Sequence, residues 1–406
     1  MFEQFIGFAL NITSTKIRQF RIGKFLLDVF VIAVTAFGGP QIHFTLFHRK
    51  LVTKRKYLSE DELKELNSLC NMLPGPTSTQ TITAIGFKKG GPMLAFLTLF
   101  VWVLPATAIM TAFAILIHKY DLDNPRLGFL QYLQPMAVAF IIYAAYKFRE
   151  LFVVRIHHWA LMIMAAVAGI WFKTPYYIPI ALVIGGVVSN IMKRTDYFDV
   201  KPVKQINWSN FALWVGIFLL SAVLGAVTKN KAFLIFENSY RYGSIVFGGG
   251  HVLIPMMFNQ FVEFKHYLTA NEFLSGVGIL QAVPGPVFSI ATFAGAMAMK
   301  EMNVPGQLLG ASAGTAGIFL PGILLIFFVY PIWNQIKNFS PVRNAIEGIN
   351  ATSAGFVISS AWLLFQPVQV NEMNMTVLLG TLFLLLTTKI PYPIIVVLCI
   401  ITGFFF

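Results

Sequence analysis

Pro74-Gly75-Pro76-Thr77-Ser78-Thr79-Gln80 lies within a hydrophobic segment, and a second copy, Pro284-Gly285-Pro286-Val287-Phe288-Ser289, follows at an offset of 210 residues. Each Pro-Gly-Pro removes two backbone N–H donors and fixes two φ angles around a glycine, so an α-helix has to break there. In a lipid-embedded chain such a break is tolerated only where it is buried in protein or lines a wet cavity. Two breaks at matched positions indicate the binding site of a transporter.

The composition indicates a membrane protein. The chain has 406 residues, of which 57% are hydrophobic and 12% charged, and its mean hydropathy is +0.71. Soluble domains carry about 25% charged residues, so we expect an all-α polytopic protein of the plasma membrane. The formal net charge is +13, and the basic residues lie in short loops between apolar runs. This placement favours a role of these residues in orienting the protein in the membrane over a role in binding nucleic acid. The two cysteines, Cys70 and Cys399, indicate neither a disulfide framework nor a metal site.

The chain contains an internal repeat. Residues 37–86 align with residues 247–296 without a gap, and 11 of the 50 positions are identical, mainly at residues that break helices. We therefore predict two homologous halves joined by a linker. The expected units are a first repeat over residues 1–192, a linker over 193–235 that includes one span at 211–227, and a second repeat over 236–406.

The relative direction of the two halves depends on the broken segments. Lys24 to Phe47 predicts one span, and each Pro-Gly-Pro segment either crosses the membrane or re-enters it as a hairpin. Crossing gives 13 spans with inverted halves, and re-entry gives 11 spans with parallel halves. The positive-inside rule does not separate these alternatives, because 17 of the 30 lysines and arginines lie inside in both.

Glycine pairs interrupt an apolar segment in each half. They are Gly38 and Gly39 in the first half, and Gly248, Gly249 and the adjoining Gly250 in the second. Such a pair either lets another helix approach closely or unwinds the backbone. Polar side chains that follow at once favour an unwound binding segment, because lipid would penalise them; they are Gln41, His43 and His251.

Polar residues also surround both proline breaks. The helix that restarts after the first break begins with four polar residues, Thr77 to Gln80. A helix N-terminus presents free N–H groups and about half a positive charge, which suits an anion. Capping of the half-helix by the hydroxyl groups is an alternative that is compatible with binding. The other predicted substrate-binding residues at the breaks are Asn71, Pro74, Gly75, Pro76, Gln281, Pro284, Gly285, Pro286 and Ser289; Thr77, Ser78 and Gln80 belong to the same set.

Few ionisable residues lie within the apolar segments. Asp28, His43 and His251 are candidates for carrying a coupled proton, because intramembrane ionisable groups are functional by default and histidine titrates near neutral pH. A hydrogen-bonded structural role is the alternative for each histidine. Arg343 and Glu347 have the i, i+4 spacing of an ion pair. The sequence has no Walker loop, dinucleotide fingerprint or metal-ligand set, so we predict neither an enzyme nor a cofactor.

Two sets of motifs, one in each half, cover essentially the whole chain. The first set is Phe37-Gly38-Gly39-Pro40 with His43, Tyr57-Leu58-Ser59 with Glu62, Leu73-Pro74-Gly75-Pro76 with Ser78 and Gln80, and Gly86 with Lys88, Lys89 and Gly90. The second set is Phe247-Gly248-Gly249-Gly250-His251-Val252 with Pro255, and Gln281-Ala282-Val283-Pro284-Gly285-Pro286. Together they resemble the long, two-domain form of the chromate ion transporter family. The sequence departs from that family at Tyr57 and Tyr267, where tryptophan is expected.

The resemblance implies inverted halves with about 13 spans, and therefore favours crossing over re-entry. It also implies export of chromate, a tetrahedral oxyanion dianion, from the cytoplasm. The polar residues at the breaks agree with this substrate class, because neutral donors and helix ends can release a dianion again. Sulfate or another oxyanion suits the same site, and an anion channel and a membrane reductase are alternative functions. The sequence lacks a redox motif, which disfavours the reductase, and it is compatible with a homodimer.

Overall fold

A computed structural model shows an all-α fold, in which the two halves repeat the same order of helices. It describes residues 22–120, 131–172, 177–193, 206, 208–247, 249–333 and 340–405, without the side chains of His251, Ser340, Phe404 and Phe405. The first half contains α1 (Ile22–Thr35), α2 (Pro40–Phe47), α3 (Glu60–Asn71), α4 (Thr77–Tyr120), α5 (Leu133–Phe152), α6 (Ile156–Trp171) and α7 (Tyr177–Met192). After α8 (Ser209–Thr228), the second half contains α9 (Lys231–Ile245), α10 (Gly250–Phe258), α11 (Ala270–Leu280), α12 (Ile290–Ala298), α13 (Asn303–Val329), α14 (Ser340–Phe365), α15 (Glu372–Thr387) and α16 (Tyr392–Phe405).

The membrane character expected from the composition is confirmed. Within the described part, four helical stretches are long and apolar enough to cross a membrane: Thr77–Tyr120, Ser209–Thr228, Lys300–Ile332 and Pro341–Phe365. Shorter apolar helices pack around them, and short π-helices (His48–Lys54 and Asn259–Phe264) extend α2 and α10.

The Gly-Gly segment of the first half is a hairpin, not the single span expected there. Arg55 Nε lies 2.7 Å from Asp28 Oδ2, and the Tyr57 hydroxyl donates to the same oxygen at 2.8 Å, so the end of the second arm returns to the middle of α1. The chain reverses at Gly38 and Gly39, whose φ angles are 104° and 84°. Two successive positive φ angles are accessible to glycine without the strain that a side chain brings.

The Pro-Gly-Pro segment of the first half is a second hairpin. Lys88 Nζ lies 2.6 Å from Glu62 Oε1, and Thr81 Oγ1 donates to Asn67 Oδ1 at 3.4 Å, so the arm after the break runs back along α3. α4 is therefore a hairpin arm as far as Gly90-Gly91, where non-helical dihedral angles mark a kink, and a separate long helix beyond it. These contacts favour re-entry over crossing.

The second half contains the same pair of hairpins. Gln260, in the π-helix after α10, donates through Nε2 to Asn238 Oδ1 on α9 at 2.9 Å. Lys300, just beyond α12, places its Nζ 2.6 Å from Glu272 Oε1 at the start of α11. Each half thus begins with a Gly-Gly hairpin and a Pro-Gly-Pro hairpin.

Contacts at the helix ends define two faces of the protein. At the first face, Phe87 packs with its ring 4.9 Å from that of Phe327 near the end of α13. At the second face, Gln307 near the start of α13 donates to the carbonyl of Ala114 near the end of α4 at 3.4 Å. α4 and α13 therefore run in opposite directions. α8 starts at the first face, where Asn210 donates to the carbonyl of Phe327 at 3.3 Å.

The number of helices between the faces makes the halves inverted. After its hairpins each half contributes four helices, the long part of α4 with α5 to α7 and then α13 to α16, and α8 lies between them, which gives nine crossings in the described part. Four crossings return the chain to the first face and α8 takes it to the second, so the second half starts from the opposite side. Both alternatives from the sequence counted the Gly-Gly segment as a crossing; with both hairpins of each half re-entrant, the described part has nine crossings instead of the expected 11–13.

Glu347 on α14 links the two halves at the first face. Its carboxylate lies 3.0 Å from Lys193 Nζ at the end of α7 and 3.6 Å from Arg155 NH1 before α6. In the described part of the chain Glu347 thus pairs with residues of the first half, and the i, i+4 pair expected with Arg343 does not form.

Candidate functional site

The four hairpin tips meet between the two faces, and their contact is reciprocal. The N–H of Gly75 donates to the carbonyl of Val246 at 2.7 Å, and the N–H of Gly285 donates to the carbonyl of Ala36 at 2.9 Å. Each Pro-Gly-Pro tip thereby binds the residue that precedes the Phe-Gly-Gly turn of the other half. The two glycines have φ angles of 113° and 116°, a region in which a Cβ is strained.

Helix N-termini converge on this centre, because the second arm of every hairpin starts at its tip. α2 starts at Pro40, α10 at Gly250 and α4 at Thr77, and a 3-10 turn starts at Val287 before α12. The first N–H groups of a helix have no acceptor within it and carry a partial positive charge. The carbonyls of Ala36 and Val246, which end the first arms, are already hydrogen-bonded. The centre therefore favours a negatively charged ligand.

His43 connects the two hairpins of the first half. Its side chain is 1% exposed, its Nδ1 lies 2.9 Å from Ser78 Oγ, and its Nε2 lies 3.2 Å from the carbonyl of Ala36. A neutral ring satisfies both contacts, with Nε2–H donating to the carbonyl and Nδ1 accepting from the hydroxyl. The carbonyl of Ala36 accepts from both His43 and Gly285, so the histidine supports the contact between the halves.

Trp102 in α4 belongs to the same cluster, although sequence reasoning did not identify it. The fully buried indole donates from Nε1 to Thr79 Oγ1 at 3.0 Å, and its ring lies edge-on to His43 with centroids 5.2 Å apart. It thus contacts polar residues of both first-half hairpins. A signal was present, since a buried tryptophan N–H usually requires a hydrogen-bond acceptor.

Gln80 packs against the first tip. Its Nε2 donates to the carbonyl of Pro74 at 2.8 Å, while its buried Oε1 has no partner among the described residues. A Cβ added to Gly75 or to Gly322 would lie 3.2 Å from the Gln80 Nε2. The amide therefore fills a space bounded by glycines of both halves.

The second half presents fewer polar groups at its tips. Leu253, Phe288 and Ile290 occupy the positions equivalent to the histidine, serine and glutamine of the first half. The Ser289 hydroxyl donates to the carbonyl of Pro286 at 2.8 Å within its own turn. Polar side chains are thus concentrated on the first-half tips.

The other predicted site residues lie in different surroundings. Gln41 and Asn71 have exposed side chains, whereas Gln281, equivalent to Asn71, is 7% exposed with an unpartnered Nε2 among the described residues. Asp28 lies at the base of the Gly-Gly hairpin, held by cations and away from the tips. Gly248 and the side chain of His251 lie outside the described residues.

The sequence profile of the chromate transporter family matches residues 23–190 and 233–404. The chain belongs to the chromate transporter family. It is 25% identical over 329 residues to a chromate transport protein of Pseudomonas aeruginosa, covering 79% of this chain and 76% of that protein. It is 25% identical over 378 residues to a probable chromate transport protein of Synechococcus elongatus, covering 91% and 92% of the two chains.

A third relative also matches over most of its length, and the family match confirms the resemblance drawn from the motifs. An uncharacterized transporter of Methanocaldococcus jannaschii is 22% identical over 378 residues, covering 92% of this chain and 91% of that protein. No solved structure matches the chain at a significant level. Membership of a transport family makes this chain a membrane transporter and not an enzyme. The two matched regions contain the hairpins of each half and leave α8 between them.

Proposed function

We propose that this protein is a secondary active transporter that exports chromate, or a related tetrahedral oxyanion such as sulfate, from the cytoplasm across the plasma membrane. The observation that carries the proposal is the reciprocal contact of the Pro-Gly-Pro and Gly-Gly tips. This contact places several helix N-termini midway between the two faces, where the inverted halves meet. Secondary transporters bind their substrates at such a position.

The oxyanion is proposed to bind mainly at the tips of the first half. The first N–H groups of α4, the hydroxyl of Thr77 and the amide of Gln80 are the donors available there. The hydroxyl of Ser78 is engaged with His43 in this state and becomes a donor when that contact opens. None of these groups carries a full charge, so a dianion held by them can be released again, as a transport cycle requires.

The distribution of cations supports an orientation with the first face in the cytoplasm. Of the 21 described lysines and arginines, the six toward the second face are Lys119, Lys229, Lys231, Arg241, Lys265 and Lys300. The 15 toward the first face are Lys24, Arg49, Lys50, Lys54, Arg55, Lys56, Lys64, Lys88, Lys89, Lys147, Arg149, Arg155, Lys193, Arg343 and Lys389. The positive-inside rule favours the cytoplasm for the face with more cations.

Transport by the purified protein tests this function. Liposomes that contain the protein and are preloaded with unlabelled chromate should accumulate external labelled chromate by exchange, and protein-free liposomes should not. Competition by sulfate and molybdate would rank the oxyanions. Failure to move any of the three anions would contradict the proposal. Unitary currents without accumulation would indicate a channel instead.

A further inference from the structure

The bases of the two first-half hairpins lie side by side at the first face, and we call this region the first mouth. The Nε2 of His48 lies 3.6 Å from a carboxylate oxygen of Glu60, which joins the end of the Gly-Gly hairpin to the start of the Pro-Gly-Pro hairpin. The Lys88–Glu62 pair, at 2.6 Å, joins the two arms of the second hairpin at the same level. Every arm that leads to the first-half tips thus starts or ends at this mouth.

Cations outnumber acids at this mouth. Residues 48–65 and 88–91, together with Asp28, carry eight lysines and arginines and five acids, a formal charge of +3. Four cations pair with three carboxylates: Lys50 and Arg55 share Asp28, Lys64 pairs with Glu60, and Lys88 pairs with Glu62. Two further acids on α3 are Asp61 and Glu65. Four cations of the described mouth form no ion pair with a carboxylate: Arg49, Lys54, Lys56 and Lys89.

The equivalent mouth of the second half has the same hairpins without this charge. At the offset of 210 residues, the positions of the four unpaired cations hold Asn259, Phe264, His266 and Met299. Residues 258–275 and 298–301, with Asn238, have a formal charge of −1, from Glu263, Lys265, Glu272, Lys300 and Glu301. Because the two mouths share one backbone architecture, the fold does not require the cations of the first.

Membrane orientation alone does not explain where these cations lie. Lys147, Arg343 and Lys389 lie at the same face on other elements and serve orientation equally well. The four unpaired cations are instead gathered on the two hairpins that lead to the tips. Arg49, Lys54 and Lys56 are exposed, and a net charge of one sign on a surface raises the local concentration of the opposite ion.

We propose that Arg49, Lys54, Lys56 and Lys89, which we call the cationic mouth, form a capture site for a tetrahedral oxyanion dianion at the cytoplasmic face. The anion binds there before it passes between the hairpin arms to the tips. This inference rests on the proposed function and adds a first binding step to it. The second mouth lacks the cations, so an anion that reaches it is not retained.

Neutralisation of the exposed mouth cations tests the capture site. The triple variant Arg49→Gln/Lys54→Gln/Lys56→Gln should raise the KM for chromate presented to the first face by about tenfold at low ionic strength, with kcat unchanged. In about 1 M salt, where the Debye length is roughly 3 Å, the variant and the native protein should have the same KM. The measurement is initial uptake into inside-out vesicles at both salt concentrations.

A matched control removes the same charge from the same face. The variant Lys147→Gln/Arg343→Gln/Lys389→Gln should keep the native KM, and labelling of Glu263→Cys in both backgrounds should show that orientation is preserved. An unchanged KM in the mouth variant overturns the capture site alone. An equal rise of KM in the control also overturns it, because the effect then belongs to the whole face. If the native protein moves no oxyanion, the proposed function fails and the capture site with it.

Discussion

Gly75 and Gly285 each combine three functions in one residue. Each adopts a positive φ, each donates its N–H to the other half, and each lies at a tip where elements approach closely. Their surroundings differ, however. A Cβ on Gly75 would lie 3.2 Å from both the Gln80 Nε2 and the carbonyl oxygen of Gly243, whereas a Cβ on Gly285 would meet only the Ala106 Cβ, at 3.0 Å.

Alanine at the two tips should therefore have unequal effects. Both Gly75→Ala and Gly285→Ala add backbone strain of about 1–2 kcal/mol, and each crowds a neighbour: the Gln80 amide and a backbone oxygen at Gly75, and the Ala106 Cβ at Gly285. Only Gly75→Ala displaces a polar side chain of the proposed site, so we expect it to lower chromate uptake more than Gly285→Ala does, while both variants have a lower thermal unfolding midpoint than the native protein. Gly216→Ala on α8, where no atom lies within 4 Å of the added Cβ, is the control and should behave as the native protein. Native uptake by both tip variants would remove the tips from the site.

At the scale of residues, the sequence predicted the positions of the breaks but not their partners. The repeated Pro-Gly-Pro identified Gly75 and Gly285 as equivalent, because helix-breaking residues are visible in any alignment. The hydrogen bond from Gly75 to Val246 forms because the Pro-Gly-Pro hairpin of one half contacts the Gly-Gly hairpin of the other. No local sequence pattern encodes this contact between the halves. The partner of Trp102 could not be predicted for the same reason, since Thr79 lies 23 residues away.

The bases of the two Gly-Gly hairpins are closed by equivalent pairs of different chemistry. In the first half Lys50 Nζ lies 3.1 Å from Asp28 Oδ1. At the equivalent positions of the second half, Gln260 Nε2 donates to Asn238 Oδ1 at 2.9 Å. A buried carboxylate and its cation are thus replaced by two neutral amides that keep the contact between the arms. The native protein itself shows that either pair can close this hairpin.

A double-mutant cycle at the first base tests the equivalence. Asp28→Asn alone leaves Lys50 and Arg55 without their carboxylate, so it should destabilise the protein most. Asp28→Asn/Lys50→Gln recreates the neutral pair of the second half and should recover about 1–3 kcal/mol of the loss, measured as unfolding free energy in detergent. The exposed pair Lys64–Glu60, removed in the same way, should leave the unfolding free energy nearly unchanged, because solvent screens exposed ion pairs. Strictly additive effects at positions 28 and 50 would show that the two side chains act independently.

The hairpins themselves could not be predicted from hydropathy. Two short apolar arms joined by a glycine turn have the same length and composition as one span, so residues 24–47 satisfied the criterion for a crossing. One signal was available. Along the sequence, Asp28 precedes the glycine pair by about as many residues as Lys50 follows it. Their charges are opposite, and each charge would be costly in lipid unless the two side chains paired. Pairing them would have indicated the reversal.

At the scale of the whole molecule, inversion follows from the parity of the crossings. The sequence led to the correct inverted relation through the family resemblance, but through the wrong reason, namely that the Pro-Gly-Pro segments cross. Because hairpins were counted as crossings, the count of lysines and arginines on each side did not separate the topology with 11 spans from the one with 13. Each hairpin starts and ends at the same face, so the basic residues of positions 48–56 and 88–89 lie on one side of the membrane. With this assignment the positive-inside rule gives a clear orientation.

Single cysteines can test this arrangement of the whole chain. Cys70 and Cys399 are buried, so a membrane-impermeant maleimide should report mainly on an added cysteine. We expect Thr53→Cys and Lys89→Cys to react in inside-out vesicles and Glu263→Cys to react only in right-side-out cells. The first two positions flank the Pro-Gly-Pro hairpin, and the third is equivalent to the first at the offset of 210 residues. Reaction of positions 53 and 89 from opposite sides would mean that the segment between them crosses the membrane. Reaction of positions 53 and 263 from the same side would mean that the halves are parallel.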